Sequence, residues 1–104
     1  MPRQPKKADK TSLDALREQI DRIDREIQTL ISERALCAKR VGEVKGLTSK
    51  ASYYRPEREA QVLRGVVNRN EGPLSNEEML RLFREIMSAC LAQEEPLSEK
   101  SVRA

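Results

Sequence analysis

Apolar residues recur early in the chain at Leu13, Leu16, Ile20, Ile23, Ile27 and Leu30, in the alternating three–four spacing of a coiled-coil seam. Carried forward, the register falls on Arg34, Cys37, Val41 and Val44, and Gly46 then supplies a natural helix stop. Thr11 reads as an N-cap with Asp14 three positions on, which completes a capping box. The spacing therefore predicts one helix over residues 12–45, roughly 50 Å long at about 1.5 Å per residue. A compact domain of about 100 residues has a radius of gyration of only about 13 Å. Such a helix cannot be covered by the rest of its own chain, so it needs a partner.

Residues 47–54 are rich in Ser, Thr and Lys and read as a loop. Pro56 suits the first turn of a second helix, with Arg55 at the N-cap, an apolar stripe of Val62, Leu63, Val66 and Val67, and an end at Asn70-Glu71-Gly72-Pro73. Ser75-Asn76-Glu77-Glu78 is a second capping box. It opens a third helix with Met79, Leu82, Phe83, Ile86, Met87, Cys90 and Leu91 on one face and Pro96 at its end. The expected fold is all-α: three helices, one long and two shorter, in an intertwined homodimer. Residues 11–97 would form the domain, between a basic arm over 1–10 and a flexible tail over 98–104. There is no internal repeat.

Composition narrows the functions available. Aromatic residues make up 3% of the 104 residues and charged residues 36%, so Leu, Ile, Val, Met and Ala must build the core of heavily charged helices. The net charge of +3 permits nucleic-acid binding without demanding it, and much of the excess lies in Arg3, Lys6, Lys7 and Lys10. An apolar run long enough for a membrane span and a secretory h-region are both lacking, so a cytoplasmic protein is expected, with no membrane or nucleic-acid partner. Cys37 and Cys90 read as two buried thiols in a reducing compartment. With no His in the chain, Ser-His and Cys-His nucleophiles are excluded, and neither a glycine-rich phosphate loop nor a metal-ligand spacing is present. Any catalysis would have to work by positioning and fixed charge.

Candidate functional residues are those that break the apolar pattern. Arg34 occupies a seam position; a guanidinium there either snorkels to a carboxylate or faces a cavity that takes an anion. Lys45 lies eleven residues on, within about 20° of the same face and roughly 16 Å along. It serves either as a partner of the helix dipole or as a ligand contact. Glu94 sits on the stripe four residues after Cys90, at a frayed end or in a site, and Glu59 precedes Val62 and Leu63 on the stripe of the second helix. Arg58 lies in the mixed run Glu57-Arg58-Glu59, where a plain solvated charge is an equal reading.

These residues resemble a known pattern. Leu13-Asp14-Ala15-Leu16-Arg17, Ile20-Asp21-Arg22-Ile23-Asp24, Ile31-Ser32-Glu33-Arg34 and Val41-Gly42-Glu43-Val44-Lys45 look like the first helix of the all-helical chorismate mutases. Tyr54-Arg55-Pro56-Glu57-Arg58-Glu59 resembles the start of that family's second helix. Gly72-Pro73-Leu74 and Arg81-Leu82-Phe83-Arg84-Glu85-Ile86-Met87-Ser88 resemble the mutase domain that opens bifunctional chorismate mutase–prephenate dehydratases. The resemblance implies an isomerase that carries out the Claisen rearrangement of chorismate to prephenate, toward phenylalanine and tyrosine, with no cofactor and no metal. It implies that Arg17 and Arg34 grip the substrate carboxylates and that Lys45 bridges a carboxylate and the ether oxygen. Arg58 would support the site, Glu59 would accept from the ring hydroxyl, and Glu94 would stand against the ether oxygen. Two positions depart from the family: Cys90 stands where some members have Ser and is a poorer donor, and Arg55 stands where some have an acidic residue.

The same resemblance implies sites shared between two chains. Arg17 and Arg34 are seventeen residues apart, roughly 25 Å along one helix. A ligand about 10 Å across cannot touch both, because only groups in near contact contribute. If Arg17 binds substrate, it comes from the partner. The alternatives are a non-catalytic helical dimerisation module and a basic nucleic-acid binder; turnover of chorismate separates both from the enzyme.

Overall fold

The computed structural model describes residues 12–46 and 55–94. The described residues form three helices: α1 over Leu13–Gly46, α2 over Pro56–Arg69 and α3 over Asn76–Glu94. The arm, the 47–54 loop and the tail expected from sequence lie outside the described residues. The chain divides into two compact units, with the boundary inside α1 between Glu33 and Arg34.

The first unit is the N-terminal part of α1. Its cap is Ser12, whose hydroxyl accepts the backbone N–H of Ala15 at 3.1 Å, so the cap stands one residue later than the Thr11 expected. Beyond it the seam residues Leu13, Leu16, Ile20, Ile23, Ile27 and Leu30 are all exposed, between 43% and 61%. The amphipathic helix forms as its periodicity requires, yet its apolar stripe remains in solvent.

The second unit contains the rest of α1 with α2 and α3. Pro56 at N1 opens α2 with a φ suited to the first turn, Arg55 is the N-cap, and Asn70 is the C-cap. The turn from α2 to α3 is held by Asn70, whose side-chain amide donates to the Leu74 carbonyl at 3.0 Å and to Asn76 Oδ1 at 2.8 Å. Its Oδ1 accepts the Gly72 N–H at 3.2 Å. Gly72 has φ +81°, the left-handed region where a side chain is strained. The expected capping box then opens α3: Glu78 N–H donates to the Ser75 hydroxyl at 3.0 Å, and Ser75 N–H donates to Glu78 Oε1 at 3.0 Å. That backbone N–H, followed by the Ser75 side chain and the charge of Arg81, holds the Glu78 carboxyl below its ordinary value.

The α2 and α3 stripes pack together, with Val66 and Cys90 each only 3% exposed and Ala38 of α1 at 8%. Three expectations are corrected here. Cys37 is exposed, whereas Cys90 is buried as expected. Val41 and Val44 are likewise exposed, so the seam register does not mark the buried face of α1 after Arg34. The buried residues are Ala38 and Gly42, with Arg34, Ala35 and Lys45 half-buried beside them. That face is turned one residue, about 100°, from the seam. Small side chains there allow close approach, which the apolar periodicity does not report. Leu82, expected on the covered face of α3, is 51% exposed.

Candidate active site

Lys45 and Glu94 meet where the last turn of α1 reaches the last turn of α3. Lys45 Nζ donates to Glu94 Oε1 at 2.9 Å, and the two side chains keep only 17% and 15% of their exposure. The pairing follows from register. Ala38, Gly42 and Lys45 follow one another at four- and three-residue steps on one face of α1. On α3, Glu94 follows the buried Cys90 by four residues, which brings it onto the packed stripe. Glu94 is therefore held in the fold and is not a frayed surface residue.

Arg34, three turns before Lys45 on α1, is half-buried in the same unit. Two cations thus flank the small residues Ala38 and Gly42 on one helix face. Glu59 is half-buried in the first turn of α2. The other candidates stand differently. Arg58 is exposed, and its Nη1 donates to Gln61 Oε1 one turn on at 2.6 Å. Arg55 is exposed at the N-cap, with its Nε 3.8 Å from Glu57 Oε1, a loose surface pairing. Arg17 is exposed in the other unit. Cys90 is buried on α3, where its thiol packs as a small hydrophobe.

Sequence reasoning passed over Gly42 and Gln61. Gln61 carried no signal beyond its spacing from Arg58. Gly42 did carry one, a glycine in mid-helix, a position where Ala is intrinsically favoured.

A half-buried carboxylate and ammonium in contact, an arginine on the same helix face and a chain without histidine describe a class: an all-helical domain with a half-buried cluster of charges. Comparison places the chain within that class. The profile of the family described as chorismate mutase type II matches residues 16–95, and the chain belongs to this family of isomerases. It is 57% identical over 89 residues to the bifunctional chorismate mutase/prephenate dehydratase of Stutzerimonas stutzeri, covering 82% of this chain and 24% of that protein. It is 54% identical over 94 residues to the protein of that name from Pseudomonas aeruginosa, covering 86% of this chain and 26% of the relative. The chain therefore spans about a quarter of the length of these relatives. Among solved structures it is similar to a chorismate mutase (form II) from Thermus thermophilus, with a TM-score of 0.78 and 35% identity over 82% of this chain and 96% of that one.

Proposed function

We propose that this chain catalyses the rearrangement of chorismate to prephenate, as a homodimer in which each site is completed by Arg17 of the partner. The carrying observation is the Lys45–Glu94 pair at 2.9 Å, with both side chains mostly out of solvent. The reaction breaks one C–O bond and forms one C–C bond within a single molecule, so it needs neither nucleophile nor base. A protein accelerates it by holding the dicarboxylate in a compact, chair-like conformer. It gains further by placing cations where the ether oxygen becomes negative.

In this reading Arg34 and the partner's Arg17 bind the two carboxylates, and Lys45 supplies the charge at the ether oxygen. Its ammonium has three N–H donors, so one group can hold Glu94 and also serve a ligand. Glu94 orients that ammonium and, when protonated, donates to the same oxygen. Glu59 accepts from the ring hydroxyl. Arg58 and Arg55 act from the edge of the site, consistent with their exposure, and Cys90 supports Glu94 from one turn below. The dimer is supported by the uncovered seam of α1, which a second copy of the same helix would bury. Cytoplasmic location is part of the same proposal; among the described residues no helix is long and apolar enough to cross a membrane.

The test is the loss of chorismate ultraviolet absorbance on adding purified protein. Lys45→Ala should lower kcat/KM about 100- to 1000-fold, as removal of a donor to a developing oxyanion does elsewhere. Turnover absent in the wild type, or unchanged in Lys45→Ala, would overturn the reading.

A further inference from the structure

Resting on that proposed function, we infer that Gly42 is a positioning residue for the reaction: its missing side chain lets the end of α3 seat against α1, and that contact sets Glu94 opposite Lys45. A Cβ built on Gly42 would stand 2.7 Å from Glu94 Cα and 2.8 Å from its carbonyl carbon, and nearer still to its carbonyl oxygen. Real contacts of this kind do not fall below 3.0 Å. The obstruction is main chain, so no rotamer change relieves it. Only movement of α3 away from α1 does.

Gly65 is the internal control. A Cβ there would meet the Arg69 guanidinium at 2.8 Å, the far end of a flexible side chain that can swing aside. Both glycines lie inside helices, where Ala is the better helix former. Gly42 alone faces a neighbouring backbone. The residue it faces is Glu94, whose carboxylate is held by Lys45, three residues beyond Gly42 on the same face of α1. Glu94 is thus fixed twice by one turn of α1, at its main chain by Gly42 and at its carboxylate by Lys45. Relieving the clash needs a shift of roughly 1 Å, which would draw the Glu94 main chain away from Lys45 and strain the 2.9 Å bond. Misplacement on that scale costs up to about 100-fold in rate.

The test is a cycle of chorismate turnover and thermal unfolding on wild type, Gly42→Ala, Gly65→Ala, Glu94→Ala and Gly42→Ala/Glu94→Ala. Gly42→Ala is expected to lower kcat by about 10- to 100-fold, with a smaller change in KM. Gly65→Ala should keep kcat within about twofold, since nothing but a side-chain end has to move. Because Gly42 acts through Glu94, adding Gly42→Ala to Glu94→Ala should lower kcat by less than about threefold, and the Tm change should be smaller than in the wild-type background, where the Lys45–Glu94 bond is also lost. Wild-type kcat in Gly42→Ala, or losses that multiply in the double variant, would overturn the inference. Should Gly42→Ala not fold, Gln93→Pro tests the same contact from the other side, by unwinding the last turn of α3 without adding an atom to α1. It should bring kcat down to the level of Glu94→Ala, and a wild-type kcat would count against the contact. If the wild type does not turn over chorismate, the proposed function fails, and the seating of Glu94 is then read by thermal unfolding alone. Lys45→Ala and Glu94→Ala should be non-additive in Tm in the wild-type background and additive once Gly42→Ala is present.

Discussion

The two parts of α1 put the same periodicity to different uses. Up to Glu33 the seam residues are 43–61% exposed. After Arg34 the seam positions Cys37, Val41 and Val44 are again exposed, while Ala38 and Gly42 on an adjacent face are buried. Apart from the half-buried Arg34, the three–four repeat therefore marks positions that the described residues leave exposed. Packing within the chain uses small residues, which no hydropathy pattern singles out. One helix carries a face that its own chain buries and a face that the described residues leave exposed.

Placing a charge in the uncovered seam should break this division most severely. Ile23 is 48% exposed, and burying such a side chain against a second copy stabilises by on the order of 1 kcal/mol. Burying even a neutral polar group there without a partner costs of order 2–7 kcal/mol, and an unpaired carboxylate costs more. Ile23→Asp is expected to give a monomer by sedimentation with no measurable turnover. An active dimer after this substitution would mean that the seam is not the interface.

The proposed shared sites sharpen the comparison further, because they would tie a residue of the first unit to chemistry in the second unit of the partner. Arg17→Ala and Arg34→Ala should each be inactive alone. In a two-fold dimer, random exchange of equal amounts makes half the dimers mixed, each with one site free of both substitutions, or about a quarter of all sites. Mixing should therefore restore about a quarter of wild-type turnover. No recovery after verified exchange would mean that Arg17 and the rest of the site belong to one chain, or that Arg17 takes no part.

Much of the fold was legible in the sequence because its signals are local. Pro56 at N1, the Ser75–Glu78 box and the end of α2 near Asn70 depend on residues within one turn of each other, and each stands where the spacing put it. Glu94 was also legible, as a carboxylate on an apolar stripe. What could not be read was the choice between two faces of α1, since Gly42 becomes a packing surface only once the end of α3 lies against it. The burial expected of Cys37 failed for the same reason: it came from the seam, and the seam is the uncovered face. The length of the turn was legible, but the role of Asn70 in it was not.

That turn provides a smaller test confined to the second unit. Asn70 accepts from Gly72 and donates to Leu74 and Asn76, so Asn70→Ala removes the side chain that ties α2 to α3. The expected cost is about 1 kcal/mol, or a fall in Tm of about 4–8 °C for a domain of this size. Protein concentration must be held fixed, since the proposed dimerisation would make Tm depend on it. Turnover at 25 °C should change little. A change in kcat exceeding the change in Tm would mean that the turn also controls the position of α3 at the site.

The smallest effect separates the helix caps of the two units. Ser12 caps α1 by accepting from Ala15, and Ala15 has no carboxylate with which to answer. At the start of α3, Glu78 answers Ser75 through the Ser75 backbone N–H, which holds its carboxyl below the ordinary value of 4.5. A carboxyl with a depressed folded value contributes stability that is fully present above the unfolded value and is lost as pH falls through the folded one. Acid should therefore loosen the cap of α3 and leave that of α1 unaffected. Wild-type Tm, followed downward from pH 6 to 3, should contain a decline that Glu78→Gln lacks, because Gln has no charge to lose. The difference will be slight, since the group is fully exposed and water screens it. Ser12→Ala serves as the control: it removes a neutral cap, so its Tm should lie below wild type by the same amount at every pH. Parallel curves for wild type and Glu78→Gln would mean that the ionised carboxylate adds nothing to the cap and that the Ser75 hydroxyl alone holds the start of α3.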